Sequence, residues 1–121
     1  MTKPRQRKRS RADAEEERAS LVGLGLAAEK LRREAGMTRE AVAKTGILAV
    51  STITQIEKGL KVEPRWETFR RLAKGLSVEL DELLRLGIEL APGAAGDRLR
   101  QRERENARHR RALEKAKKEQ T

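Results

Sequence analysis

Between Leu21 and Leu84 the apolar residues recur every three or four positions, and the two-residue alternation of a strand appears nowhere in that stretch. The pattern restricts the chain to an all-α fold. Leu21, Leu24, Leu31 and Ala35 mark a first helix from about Ser20 to Ala35, stopped at Gly36. Thr38 is placed to cap a second helix through about Lys44, followed by a turn from Thr45 to Ala49. A third helix runs from about Val50 to Lys58, with Ile53 and Ile56 facing inward and Gly59 ending it. Pro64 precedes a fourth, about Arg65 to Gly75, with Trp66, Phe69, Leu72 and Ala73 on one face. Helical spacing assigns both aromatics to the core. Ser77 is expected to cap a fifth helix, about Val78 to Leu86, whose Leu80, Leu83 and Leu84 complete a five-helix bundle.

What flanks this bundle is charged. Lysine and arginine number 29 against 19 acids, giving a formal net charge of +10. Residues 1–18 hold seven bases and four acids, residues 19–91 twelve and ten, and residues 92–121 ten and five. The excess therefore sits at the two ends. Basic ends favour a polyanionic partner, because each neutralised phosphate releases counterions. The expected organisation is a flexible arm over 1–19, a folded domain over 20–90, and a linker with a charged, helical tail over 91–121. The tail opens with Pro92-Gly93-Ala94-Ala95-Gly96, a linker composition. Leu99, Asn106 and Leu113 fall seven apart, as in a coiled-coil seam with one polar position. Arg102, His109 and Ala116 occupy the partner positions, so a solvated single helix is the expectation.

Several function classes lack material. There is no cysteine and one histidine, His109, which leaves little for a thiolate metal site or a Ser–His catalytic pair. No metal, cofactor or catalysis is expected. No apolar run approaches the roughly 20 residues needed to span a bilayer, and the N-terminus has no apolar stretch like that of a secretory signal. A cytoplasmic, nucleoid-associated protein with no membrane contact is the expectation.

The informative constellation spans Arg39 to Lys58. Two helices crossing at a wide angle over a short turn need a small residue where their backbones approach. Ala43 fills that place, and Ile53 and Ile56, ten and thirteen residues later, lock the second helix onto the first. The opposite side of that helix is then free for the major groove of a duplex.

Here the sequence resembles the lambda-repressor/Cro-like, or XRE-type, helix-turn-helix family. The similarity covers about residues 22–86 and runs without a gap. It includes Leu31-Arg32, Gly36-Met37-Thr38, Val42-Ala43, Ser51-Thr52-Ile53, Ile56-Glu57-Lys58-Gly59, Pro64-Arg65-Trp66, Leu72-Ala73, Leu76-Ser77-Val78 and Leu80-Asp81-Glu82-Leu83-Leu84. One position departs. The family usually has glycine where this chain has Ile47, and the nearest glycine is Gly46. A left-handed backbone is costly at a β-branched residue, so a differently built turn is expected.

The resemblance implies a base-reading face of Ala49, Val50, Ser51, Thr54, Gln55 and Lys58. Gln55 can bond an adenine bidentately, and Val50 and Ala49 can pack on a thymine methyl. Thr38 and Arg39 would meet phosphates at the start of the second helix. Arg65 would reach the backbone or the narrow minor groove, though Glu63 in the same loop would repel phosphate. Arg32 and Glu57 match a family ion pair bracing the third helix. The expected function is a double-stranded DNA-binding transcriptional regulator, a repressor acting as a homodimer, with a protein partner for the tail as a further option. An adaptor, or an RNA-associated protein held by its arginine-rich ends, is the alternative.

Overall fold

Ser10 starts the first helix. The structure, a computed structural model, describes residues 10–60 and 65–120. The basic run from Lys3 to Arg9, and Glu63 with Pro64, lie outside the described residues. Ser10 Oγ accepts the Asp13 N–H at 3.1 Å, and the Ser10 N–H donates to the Asp13 carboxylate at 3.4 Å, a reciprocal capping box. Helix α1 (Arg11–Glu34) therefore begins well before Ser20 and takes in half of the expected flexible arm. The others are α2 (Arg39–Gly46), α3 (Val50–Glu57), α4 (Trp66–Gly75), α5 (Leu80–Leu90) and α6 (Gly93–Glu119). No strand occurs among the described residues, so the all-α expectation holds; six helices are present, the sixth in the charged tail.

The main core joins α1 to α5. Ile53, Leu72, Leu83 and Val42 are its largest fully buried side chains, one each from α3, α4, α5 and α2, and Leu24, Ala27 and Ala28 of α1 close it. Close helix crossings fix the geometry, among them one between α1 and α3 and one between α2 and α4. A Cβ on Gly25 of α1 would run into the Ile56 carbonyl of α3. On the other side, Gly46 of α2 and Gly75 of α4 each leave space that a Cβ would take from the partner helix's backbone.

Helices α1 to α4 end in the same closure. The N–H groups of Met37, Leu48, Leu60 and Val78 reach back to the carbonyls of Arg32, Ala43, Gln55 and Ala73, each at 3.0 Å. This six-to-one bond requires a left-handed residue just before the donor. Gly36 and Gly59 serve at two ends, both with φ 67°. Ile47 (φ 57°) and Ser77 (φ 58°) serve at the others. Both depart from expectation. Ile47 adopts the left-handed conformation after all, at a cost of about 1–2 kcal/mol for a residue bearing a Cβ. Ser77 closes α4 instead of capping α5, whose first turn is flanked by Glu79 with no side-chain cap. One force explains both: Leu48 and Val78, the next residues, pack against the core, and only the left-handed turn delivers them there while satisfying the helix-end carbonyl.

Trp66 is a further correction. It is the first residue of α4 and 66% exposed, because the buried face begins one turn later with Phe69 and continues through Leu72, Ala73 and Leu76.

The tail helix α6 is docked over its first half. Ala95 and half-buried Leu99 pack on Ala19 of α1 and on Ala91, making a second small core. Glu16, 8% exposed, receives Arg98 Nε at 3.2 Å and Arg102 Nη2 at 3.0 Å. Helix α5 ends at Ala91 in extended conformation, with no left-handed closure of its own. Arg100 supplies the missing donors: Nη1 reaches the carbonyls of Ile88 (3.0 Å), Glu89 (3.0 Å) and Ala91 (2.8 Å), while Nη2 holds Asp97 at 2.7 Å. Leu99 is thus spent inside the molecule, which takes one member out of the heptad pattern of Leu99, Asn106 and Leu113 and leaves this part of α6 docked where a solvated helix was expected. Leu113 remains 50% exposed.

Candidate nucleic-acid interface

Helix α3 is two-sided. Ile53 (1% exposed) and Ile56 (6%) face the core beside buried Ala43. Ala49, Ser51, Gln55 and Lys58 are exposed, as is Val50 at the edge. Thr54 is half-buried, and its hydroxyl donates to the Val50 carbonyl at 3.1 Å. Of the expected base-reading side chains it alone is tied back to its own helix. The Gln55 amide makes no side-chain hydrogen bond with another described residue.

A buried ionic brace holds this helix to α1 and α2. Glu57, its side chain 2% exposed, takes both Arg32 Nε and Arg32 Nη2 at 2.9 Å in a bidentate pair. Arg32 Nη1 also donates to the Met37 carbonyl at 3.1 Å, tying the α1–α2 link into the same unit. Hydrogen bonding to Glu57 lifts the Arg32 pKa above its already high ordinary value. The guanidinium is therefore charged throughout the working range, and its share of the stability is lost as pH rises into the strongly alkaline range.

Arg39 joins the brace through Nε, 3.3 Å from Glu57. Resemblance implied a phosphate contact for it; the structure shows a half-buried arginine that gives one donor inward and has others to spare. Thr38 caps α2, its hydroxyl oxygen accepting the Ala41 N–H at 3.1 Å. Together Arg32, Arg33, Thr38, Arg39 and Glu40 line a shallow notch of about 350 Å³ between the end of α1 and the start of α2. Arg32 and Arg39 are paired there with Glu57 and Arg33 with Glu29 at 2.6 Å, so an anion in the notch would meet only the outer donors of these arginines. Arg65 lies on another element, exposed at the N-cap of α4.

The turn before α3 is tied from several sides. The Ile47 and Leu48 N–H groups both reach the Ala43 carbonyl, and the Ile47 carbonyl accepts Arg71 Nη1 from α4 at 3.5 Å. Arg71 is itself oriented by Glu67 at 3.2 Å. Sequence spacing gave no hint of Arg71, because its target is a backbone atom 24 residues away.

Residues 29–83 match the family model described as Helix-turn-helix. This segment is similar to helix-turn-helix domains. Neither the curated proteins nor the solved structures compared with the chain gave a match. The matched span opens late in α1 and ends within α5, so the α1 start and all of α6 lie outside it. Among the described residues no helix is long and apolar enough to cross a membrane, and no group of three or more histidines or acids is placed to hold a metal.

Proposed function

We propose that the chain is a sequence-specific regulator of transcription that binds double-stranded DNA through α3, as a repressor and a homodimer, with residues 20–90 as the binding unit. One observation carries this reading. Helix α3 is locked on one side by Ile53, Ile56 and Glu57, while Ser51 and Gln55 stand free on the other. A helix held so firmly by one face presents fixed donors and acceptors on the other, as major-groove reading requires. In this arrangement Ala49, Val50, Ser51, Thr54, Gln55 and Lys58 meet the groove, Thr38 and Arg39 grip a phosphate at the notch, and Arg65 touches the flanking backbone. Two copies on half-sites about 34 Å apart would supply the affinity that one short module lacks.

Selection of duplexes from a random library, followed by salt titration on the selected and a scrambled duplex, tests this. A regulator keeps a ratio of about 10³ or more between the two; equal affinities refute the proposal. Trp66, the only tryptophan, is exposed beside Arg65 and reports binding by its emission. Gln55→Ala should flatten preference at one base pair by about tenfold, within the usual worth of a bidentate amide–adenine contact. Its melting temperature should hardly move, since Gln55 is exposed. An unchanged set of selected sites would remove Gln55 from the reading face.

The tail belongs to the electrostatic part of this proposal. Residues 105–121 hold six bases and three acids. Ending the chain after Arg104 leaves Arg98, Arg100 and Arg102 in place, so the fold should stay intact. The salt slope of binding should fall by up to about three, at roughly 0.9 for each phosphate that is no longer neutralised, with the preferred site unchanged. A shortened protein that sediments as a monomer would instead locate the dimer interface in the tail.

A further inference from the structure

We propose that Ile47 is a specificity residue, whose side chain joins Ala49 and Val50 in an apolar edge that recognises the C5-methyl group of a pyrimidine. The inference rests on the duplex-binding reading above and assigns it a contact outside α3 itself.

Ile47 carries a side chain that folding does not explain. It has φ 57° and ψ 54°, a conformation that disfavours any Cβ and a branched one most of all. Glycine holds the same role at the ends of α1 and α3. Such strain is commonly retained for burial, yet Ile47 is 70% exposed. The burial at this turn belongs to Leu48, which packs on the core whatever its neighbour carries. A strained, exposed, β-branched residue thus brings the free protein no visible return, and strain of that kind gathers at binding sites.

Position then suggests the ligand. Ile47 lies two residues before Ala49, the N-cap of α3, and three before Val50, the first residue of that helix and 37% exposed. All three precede Ser51 and Gln55, the polar members of the face. The chain therefore leads into α3 with apolar surface and only then turns polar. Its direction is fixed by the paired N–H bonds to the Ala43 carbonyl and by Arg71 on the Ile47 carbonyl. In the major groove the apolar feature of a standard base pair is the thymine methyl. 5-Methylcytosine carries the same group.

The test uses the selected duplex, with each thymine replaced in turn by deoxyuridine and each cytosine by 5-methylcytosine. Wild-type protein should bind about fourfold more weakly at one deoxyuridine position, the value of one buried methyl group. If a cytosine is placed there, its methylation should recover that factor, which separates the two sources of the methyl. Ile47→Ala should erase both differences while keeping those that depend on Val50, identified with Val50→Ala. Ile47→Gly should do the same and melt at a higher temperature than wild type, so that recognition and stability move in opposite directions. Identical deoxyuridine profiles for wild type and Ile47→Ala overturn this inference and leave the regulator reading standing. Absence of any selected duplex overturns both.

Discussion

Glu57→Ala should destabilise the helical bundle by about 3–5 kcal/mol, the usual cost of removing one partner from a buried ion pair. The size follows from what is left behind. Arg32 has a side chain only 13% exposed and places two of its nitrogens on Glu57 at 2.9 Å. Without the carboxylate it remains charged, short of water and unpaired, and Arg39 loses its inward anchor as well. Urea titration checks the effect as a lower midpoint at an unchanged slope. Replacing both partners together, Arg32→Met with Glu57→Leu, should cost much less than Glu57→Ala, because no stranded charge remains. A single substitution within about 1 kcal/mol of wild type would mean that solvent reaches the pair.

Gly25→Ala should also be destabilising, and its sign is the informative part. Within a helix this change ordinarily stabilises by about 1 kcal/mol, since alanine restricts the unfolded chain and favours the helix. At position 25 the added carbon meets the Ile56 carbonyl, with the Glu57 carbonyl 3.1 Å away. Both are backbone atoms of α3 and cannot rotate aside. Overpacking of about 1–3 kcal/mol, taken at its upper end, outweighs the gain. The relief available is a shift of α3 away from α1, which also loosens the Arg32–Glu57 brace. Duplex affinity should therefore fall along with stability. A variant that melts higher than wild type would show that α1 and α3 do not approach so closely.

The centre of this fold is legible in the sequence because its determinants are local or periodic. Thr38 announces the start of α2, and the spacing of Ala43, Ile53 and Ile56 gives the crossing of α2 with α3. The brace between Arg32 and Glu57 came through family resemblance; no spacing rule joins residues on α1 and α3. At the edges the reading fails for identifiable reasons. The start of α1 is written in Ser10 and Asp13, but no large apolar residue lies near them to register a periodicity. Trp66 continues the apolar stripe of α4, yet it sits beyond the end of the bundle, where periodicity has nothing to pack against. At Ile47 the intrinsic backbone preference argues against a left-handed turn, and the burial of Leu48 overrides it. Arg100 looks like one more arginine in a charged tail, and only the three-dimensional path shows α5 ending without a closure of its own.

The contact between Glu16 and Arg98 joins residues 82 apart in the chain. As a ribosome extends the polypeptide, the opening turns of α1 must therefore wait until α2 to α5 and the start of α6 have been made before their partner exists. Until then they are a short, charged peptide that water can readily unwind. The bundle that carries α3 can close before this contact between α1 and α6 forms.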